Sequence, residues 1–224
     1  MQRRIFMPNT ASAKPAAKKA ATKTPAKKTA AKAATKKEVP TEPQAKQYIT
    51  SGNELYFAKV RPDAIIPTKR DEDAGYDFYA NFPEDNMVID PHCTKAIPSG
   101  IATCFSSDYY MQVHERGSTG KIGMKYSAGV FDSGYRGEHF IMLTNTNDRP
   151  IVISKLGTEQ LGKAFYVGDK KYKTADCIIY PYSKAICQEV VLPVPKMNIQ
   201  EISYEELSQI PSQRKAGLTG SSGK

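Results

Sequence analysis

The chain has 224 residues and a formal net charge of +9, and 12 of its 32 basic residues lie in positions 1–46 together with only 2 acidic residues. The remaining positions carry 20 basic and 21 acidic residues by difference, so the charge of the whole chain does not indicate that this larger part binds nucleic acid. No apolar run approaches the roughly 18 residues that a membrane-spanning helix needs, and we expect no membrane contact.

Residues 1–50 form a basic segment dominated by Lys, Ala, Thr and Pro. Because it offers little apolar surface to offset the entropy of ordering, we predict a disordered N-terminal tail. Its composition resembles linker-histone tails. The alternatives are a solubilising tail, a nuclear-import signal and a tether that makes weak contact with nucleic acid.

The four cysteines, Cys93, Cys104, Cys177 and Cys187, show no C-x-x-C spacing and follow no secretory signal. This pattern argues against a zinc site and against a disulfide framework. We therefore predict reduced thiols in a protein of the nucleus or cytoplasm.

Residues 51–205 read as a β domain, because short apolar or alternating runs are separated by clusters of Gly, Pro, Asn and Asp. The strand-length runs are 101–105, 109–114, 140–143, 151–153, 177–180 and 186–192. Such a succession of short strands indicates an all-β sandwich, barrel or jelly roll. A short helix is predicted at 203–208, where Ser203 and Glu206 have the spacing of a capping box.

Five local strings carry the more specific signal, in chain order. They are DAGYDFYA at 73–80, RGSTGKIG at 116–123, AGVFDSGYRGE at 128–138 followed by LTN at 143–145, KAICQEVVLPVP at 184–195, and RKAGLTGSSG at 214–223. The third string is highly specific and the first is strong, whereas the second, fourth and fifth are degenerate.

In this order the strings resemble the five motifs of the trimeric dUTPase family, over residues 54–224. The resemblance implies a jelly-roll-like β-clip fold and a homotrimer whose sites are shared between subunits. It implies Mg²⁺-dependent hydrolysis of dUTP to dUMP and pyrophosphate, which keeps uracil out of DNA and supplies dUMP. It also makes residues 206–224 a mobile C-terminal arm that folds over a neighbour's site.

The resemblance assigns the base, the sugar and the chemical step to the third string. Asp132 would orient a water for attack on the α-phosphorus and accept its proton. Taken alone, Asp-Ser-Gly would be better explained as an ordinary hairpin turn; the catalytic role comes from the resemblance. Tyr135 would press against the deoxyribose and exclude a 2′-hydroxyl, and backbone groups of Gly129 and Val130 would read the uracil edge.

The other strings are assigned to the metal and the phosphates. Asp77 would hold Mg²⁺ indirectly through water, and a single carboxylate suits an ion that keeps several waters. Arg116 would grip the phosphates with its planar fork of donors. The remaining predicted substrate contacts are Gly117, Ser118, Thr119, Gln188 and, from the arm, Arg214, Thr219, Gly220 and Ser221.

Four departures from the family pattern stand out. Gly117 replaces a Ser whose hydroxyl contacts phosphate, and Ser118 or Thr119 is the candidate substitute. Thr219 occupies the position of a Phe that stacks on uracil. Glu115 places a negative charge before Arg116. Residues 156–181 form an insertion, predicted to be an extra β-hairpin.

The insertion leaves two candidates for the fourth motif. The string at 157–163 also resembles it and would put Lys163 where Gln belongs. We favour Gln188, because an apolar strand and a Pro follow it, as the family pattern requires.

Two other functions are alternatives for this sequence. A catalytically weakened dUTP-binding or regulatory protein of the same fold is the alternative to the enzyme. A dCTP deaminase, which shares this fold, would carry a Glu in the strand that follows the third string. This chain has Ile141, Met142 and Leu143 there. His92, His114 and His139 are isolated in sequence, and we expect surface or internally satisfied residues rather than ligands.

Overall fold

A computed structural model describes residues 52–213. Its strands are β1 (Leu55–Lys59), β2 (Gly75–Phe78), β3 (Asn86–Ile89), β4 (Thr94–Pro98), β5 (Ile101–Phe105), β6 (Tyr109–His114), β7 (Met124–Ser127), β8 (Val130–Asp132), β9 (Phe140–Asn145), β10 (Ile151–Ser154), β11 (Ala164–Val167), β12 (Lys170–Lys173), β13 (Ile178–Pro181) and β14 (Cys187–Pro193). Three short helices, α1 (Gly117–Lys121), α2 (Thr158–Leu161) and α3 (Tyr204–Gln209), lie between or after them. The predicted all-β domain is confirmed.

The strands form small sheets rather than one large one. Their orders are β2–β14–β6–β8, β4–β9–β7, β13–β10–β3, β1–β5 and β11–β12. The pairing of β10 with β13 is parallel and the other pairings between these strands are antiparallel. Short strands in several sheets explain why the sequence shows frequent turn signals and no long run of one periodicity.

Strand β10 is buried at all four positions because it separates two apolar clusters. Ile151 and Ile153 face the main core, whereas Val152 faces a second cluster that includes Phe165 and Tyr172. Successive strand residues point to opposite sides, so a strand packed on both sides reads as a continuous apolar run.

The segment 156–181 begins with α2, continues through the β11–β12 hairpin and ends in β13. Gly168 turns the hairpin with a φ of +58°, a conformation that favours glycine. Phe165 and Tyr172 cover the second cluster, and β13 pairs with β10 of the main body. The boundaries of the insertion stay a prediction.

The predicted short helix is confirmed as α3. The Ser203 hydroxyl accepts a hydrogen bond from the Glu206 amide at 3.1 Å, and the Glu206 carboxylate accepts one from the Ser203 amide at 2.8 Å. None of the helices within the described range is long and apolar enough to cross a membrane.

Asn145, the last residue of the third string's extension, is fully buried. Its Nδ2 donates to the carbonyls of Ile89, Asp90 and Arg149 at 3.0, 3.2 and 2.8 Å. Its Oδ1 accepts from the Asn147 amide at 2.9 Å. The side chain therefore fixes the connection between β9 and β10 to the end of β3.

Replacing Asn145 with Ala should lower the free energy of unfolding by about 3 kcal/mol, because buried carbonyls lose their donor. Urea denaturation measures this change. Asp148→Ala, in the same turn but with a side chain 96% exposed, is the matched control and should change stability by less than about 0.5 kcal/mol. Equal effects at both positions would contradict the structural role of Asn145.

One titratable pair lies inside the core. The side chains of His139 and Glu189 are both 0% exposed, and His139 Nδ1 lies 3.0 Å from Glu189 Oε2. Burial raises the pKa of the Glu189 carboxyl above its ordinary value of 4.5, and the hydrogen bond and charge of His139 partly counteract this rise. The folded protein thus keeps a proton on this carboxyl to higher pH than the unfolded chain does.

A raised carboxyl pKa gives stability that is present below the unfolded value and is lost as pH rises through the folded value. The unfolding free energy of the wild type, relative to Glu189→Gln, should therefore fall as pH rises from below about 4.5, the ordinary glutamate pKa, through the raised pKa of the folded protein. Urea denaturation at fixed protein concentration measures it. Glu84→Gln, at an exposed site, controls for the loss of one charge. A difference that is constant or rises with pH would refute the assignment.

Candidate active site

Residues from three separate strings meet in one open cavity of about 570 Å³. Asp77 comes from β2, Arg116 from the segment between β6 and α1, and Gln188 from β14. The pairing of β14 with both β2 and β6 brings them together, because Gln188 is opposite Asp77 on one side and His114 on the other. The structure thus places Gln188 in this cavity, whereas Lys163 lies beside the β11–β12 hairpin.

Arg116 and Asp77 form a two-point salt bridge. The Arg116 Nε lies 2.9 Å from Asp77 Oδ1, and Nη2 lies 3.0 Å from Oδ2. The Arg116 Nη1 also donates to the Ala185 carbonyl at 3.4 Å. A bidentate pair fixes the plane of the guanidinium, and a guanidinium has five N–H donors, so donors remain for an anion in the cavity.

Gln188 is held by the backbone around it. Its Nε2 donates to the Glu115 carbonyl at 2.9 Å. A Cβ on Gly75 would lie 2.9 Å from Gln188 Oε1 and 3.0 Å from Gln188 Cβ. The glycine of the first string is therefore required by the close approach of β2 to the Gln188 side chain.

Helix α1 positions the three predicted contacts that follow Arg116. Gly117 and Ser118 are exposed and line the cavity. Thr119 is fully buried, and its hydroxyl bonds with the Arg116 amide and carbonyl at 3.0 and 3.1 Å. Thr119 thus shapes the loop and does not line the cavity, which leaves Ser118 as the hydroxyl nearest to the position of Gly117.

Glu115 forms an ion pair outside the cavity lining. Its carboxylate lies 3.4 Å from the Lys125 Nζ. The negative charge that the sequence places before Arg116 is therefore paired with a lysine of β7, and Glu115 contributes its backbone carbonyl to Gln188.

The same cavity is lined by residues that were not predicted as site residues. Thr68, Lys69 and Arg70 precede the first string, and Asp73 is its first residue. Arg70 pairs with Asp73 through Nε–Oδ2 and Nη2–Oδ1 distances of 2.8 and 2.9 Å, while the Lys69 ammonium donates to backbone carbonyls. With Arg116 and Asp77, the cavity has three cations and two carboxylates. The adjacent pair of basic residues was the available signal.

The second group of predicted residues lies in residues 128–138, for which we keep the name hairpin, although its strand β8 pairs with β6 rather than with β7. Val130, Asp132 and Tyr135 are exposed. Ala128, between β7 and β8, has a φ of +52°, a strained conformation for a non-glycine residue that is typical of functional loops. The Tyr135 hydroxyl donates to the Glu138 carbonyl at 3.0 Å, and its ring lies against Gly137.

The two groups do not meet within one chain. Asp132 is opposite Tyr110 of β6, and Gln188 is opposite His114 of the same strand, on its other side. Four residues along β6 and two strand spacings across it put their Cα atoms about 16 Å apart. The predicted arm contacts Arg214, Thr219, Gly220 and Ser221 lie outside the described residues.

Among residues 52–213 no group of three or more His, Cys, Asp or Glu side chains is arranged to hold a metal ion. The cavity offers Asp77 and Asp73 as carboxylates, each paired with an arginine. Mg²⁺ is typically bound through one or two carboxylates, several waters and substrate phosphates. This donor set fits an Mg²⁺ ion that arrives with a polyphosphate.

A family model described as dUTPase matches residues 61–157. Two curated proteins illustrate the range of similarity in sequence. The Pol polyprotein of caprine arthritis encephalitis virus is 31% identical over 117 residues, which is 52% of this chain and 10% of that protein. A deoxyuridine 5′-triphosphate nucleotidohydrolase of Leptospira interrogans is 28% identical over 103 residues, covering 44% of this chain and 70% of the relative.

Solved structures share the fold at low sequence identity. The Staphylococcus bacteriophage 80alpha dUTPase with dUpNHpp has a TM-score of 0.59 and 21% identity, covering 77% of this chain and all of that one. A mutant dUTPase from phage phi11 of S. aureus, described with a structural Mg(II) ion, has a TM-score of 0.51 and 17% identity, covering 68% and 99%. These likenesses confirm the predicted β-clip, jelly-roll-like fold.

The deoxyuridine 5′-triphosphate nucleotidohydrolase of Gloeobacter violaceus matches a longer part of the chain. It is 30% identical over 154 residues, which cover 67% of this chain and 83% of that enzyme. This coverage extends beyond the segment 61–157 that the family model matches. The chain belongs to the dUTPase family.

Proposed function

We propose that this protein hydrolyses dUTP to dUMP and pyrophosphate, keeps uracil out of DNA and supplies dUMP. The observation that carries the proposal is the convergence of Asp77, Arg116 and Gln188, from three motif strings, in one cavity. Phosphate oxygens need charged and amide donors, and these side chains supply them. The membership in the dUTPase family supports the same activity.

In this proposal the cavity binds the triphosphate. Arg116 donates to the phosphates from a plane that Asp77 fixes, and the Ser118 hydroxyl, the Gly117 backbone and the Gln188 amide add neutral contacts. Thr119 acts indirectly, since its hydroxyl holds the Arg116 backbone. Lys69 adds a positive charge at the same cavity.

The hairpin supplies the chemical step and the choice of substrate. Asp132 orients a water towards the α-phosphorus, accepts its proton and so generates the attacking oxygen. Pyrophosphate then leaves with the electron pair of the broken P–O bond. The Tyr135 ring packs on the deoxyribose and excludes a 2′-hydroxyl, while backbone groups of Gly129 and Val130 read the uracil edge.

The proposed cofactor is Mg²⁺, which Asp77 would hold indirectly through water. When bound, the ion neutralises charge on the phosphates. Arg214, Thr219, Gly220 and Ser221 of the arm would add backbone and side-chain donors over the phosphates. The position of Thr219 implies that uracil lacks the aromatic stack that the family pattern provides.

The distance between the two groups supports the proposed homotrimer with shared sites. A general base must lie within about 3 Å of the proton that it accepts, but Asp132 and Gln188 of one chain are separated by about 16 Å. We therefore propose that Asp132 of one subunit completes the cavity of another, in a closed ring of identical interfaces.

The basic tail concerns partners other than the substrate. Its 12 basic and 2 acidic residues suit weak, salt-dependent contact with nucleic acid. We propose that this contact is independent of hydrolysis and that the protein acts in the nucleus or cytoplasm.

The first test measures pyrophosphate release and nucleotide products from dUTP, dCTP, dTTP and UTP with Mg²⁺. The wild type should convert dUTP selectively. Asp132→Asn keeps the shape of the side chain but removes the base, so kcat should fall by about 10²–10⁴-fold. Asp148→Asn, at a remote and exposed turn, is the matched control. If dUTP is bound by the wild type without being cleaved, the regulatory alternative replaces the enzyme.

The second test asks whether sites are shared between subunits. Asp132→Asn and Arg116→Gln chains, each inactive alone, are unfolded together and refolded as a mixture. If Asp132 and Arg116 of one site come from different chains, random assembly should restore about a quarter of the wild-type activity. Sites built within one chain would leave the mixture inactive. Sedimentation of each preparation checks that assembly is unchanged.

A further inference from the structure

The hairpin that presents Asp132 has few attachments of its own. Strand β8 has three residues and lies at the edge of its sheet beside β6. Asp132 and Tyr135 are exposed. A short edge strand forms few backbone hydrogen bonds. The accurate placement of Asp132 therefore requires side-chain packing on the buried face of the sheet as well.

That packing comes from a stack of three rings. His139 lies between Phe131, the residue before Asp132, and Phe78 of the core strand β2. The His139 and Phe131 ring centres are 3.8 Å apart with an interplanar angle of 8°. The His139 and Phe78 centres are 5.6 Å apart with an angle of 6°. The Tyr135 ring centre lies 6.2 Å from that of His139, so both functional residues of the hairpin border this stack.

The imidazole in the middle of the stack is fixed at both nitrogens. Nδ1 lies 3.0 and 3.2 Å from the two Glu189 carboxylate oxygens, and Nε2 lies 3.0 Å from the Thr103 hydroxyl. The His139 backbone is fixed too, because its amide donates to the Ile101 carbonyl at 2.8 Å and its carbonyl accepts from the Ser99 amide at 3.3 Å. Strands β5 and β14 thus hold one ring in one orientation.

We propose that His139 is a positioning residue for Asp132: its imidazole, oriented by Glu189 and Thr103, holds the Phe131 ring and thereby the catalytic hairpin in place. The inference rests on the proposed function for its consequence in catalysis. The contacts of His139 with Phe131, Glu189 and Thr103, in contrast, are independent of that function.

The hydrogen bonds of both His139 ring nitrogens indicate that this residue does more than fill the core. Burying a carboxylate and an imidazole is unfavourable compared with apolar residues of similar volume. Aromatic pairs without other constraints prefer offset or edge-to-face arrangements. Hydrogen bonds at both nitrogens restrain the ring to the plane that lies nearly parallel to Phe131, which an apolar ring at this position would be free to leave.

The test separates ring orientation from core filling. His139→Phe combined with Glu189→Leu keeps a ring and an apolar core but removes both edge bonds. If orientation matters, kcat for dUTP should fall by about 10- to 100-fold, since a small misplacement of a reacting group has effects of this size. Binding of inorganic pyrophosphate at the Arg116 cavity should stay within about twofold. The single variant Glu189→Gln retains His139 and an amide oxygen that can accept from its Nδ1. Its kcat should therefore be much closer to that of the wild type than to that of the double variant.

A second readout does not depend on turnover. Hydrogen exchange of the amides in 130–137 should be faster in the double variant than in the wild type and near the wild-type rate in Glu189→Gln. If the double variant does not fold, Thr103→Val, which removes the Nε2 partner alone, takes its place in both measurements.

The outcomes are distinct. If the double variant is folded and shows wild-type kcat and wild-type exchange in 130–137, His139 only fills the core and the inference is overturned. A wild type that does not cleave dUTP at all would overturn the proposed function instead. In that case the exchange rates alone decide whether His139 positions the hairpin.

Discussion

Consecutive residues of strand β14 face opposite sides of its sheet, and this alternation connects the cavity to the core. Gln188 is half-buried and lines the cavity beside Arg116, whereas Glu189 is fully buried and bonds with His139 beneath the hairpin. A one-residue change of register would exchange the two faces. The pairing of β14 with β2 and β6 therefore fixes at once a residue proposed to contact the phosphates, Gln188, and the buried pair that lies beneath the Asp132 hairpin.

Strand β6 fixes how far apart the two functional groups are. Its Tyr110 end pairs with β8 and its His114 end pairs with Gln188 of β14. A strand is too rigid to bring its two ends together. The cavity around Gln188 and the hairpin with Asp132 therefore stay apart within one chain. Under the proposed function, subunit assembly is then a requirement of catalysis rather than an addition to it, because the exposed hairpin of one subunit has to reach the cavity of another.

The local strings predicted Asp77, Arg116 and Gln188 as one group, and the structure brings them together. Other features had no local signal. His139 and Glu189 are 50 positions apart, and their contact depends on the order of the strands. Thr119 looked like a replacement for a missing hydroxyl, but the turn of α1 points it into the core, where it bonds with the Arg116 backbone. Lys69 and Arg70 could have been found, since they are adjacent basic residues separated by only two positions from the first string.

The departures from the family pattern at Glu115 and Gly117 change side-chain groups, but they do not change the backbone or the orientation of Arg116. A Cβ on Gly117 would meet nothing within 4 Å, so the missing hydroxyl reflects the side chain alone and no backbone obstruction. Glu115 is paired with Lys125, which limits its effect on the phosphates. Arg116 keeps its orientation through Asp77. Each lost neutral hydrogen bond weakens binding by about 1 kcal/mol, a loss spread over ground and transition states alike.

Such uniform losses raise KM more than they lower kcat. In the proposed mechanism the chemical step depends instead on the placement of Asp132, which we attribute to a different set of contacts on the other side of β14. The two motif regions that have diverged, around Gly117 and Thr219, are the ones to which we assign binding. The regions that keep the family pattern, around Asp132 and Asp77, are the ones to which we assign the reacting centre. This division favours an enzyme with weakened substrate affinity over a protein that has lost its chemistry.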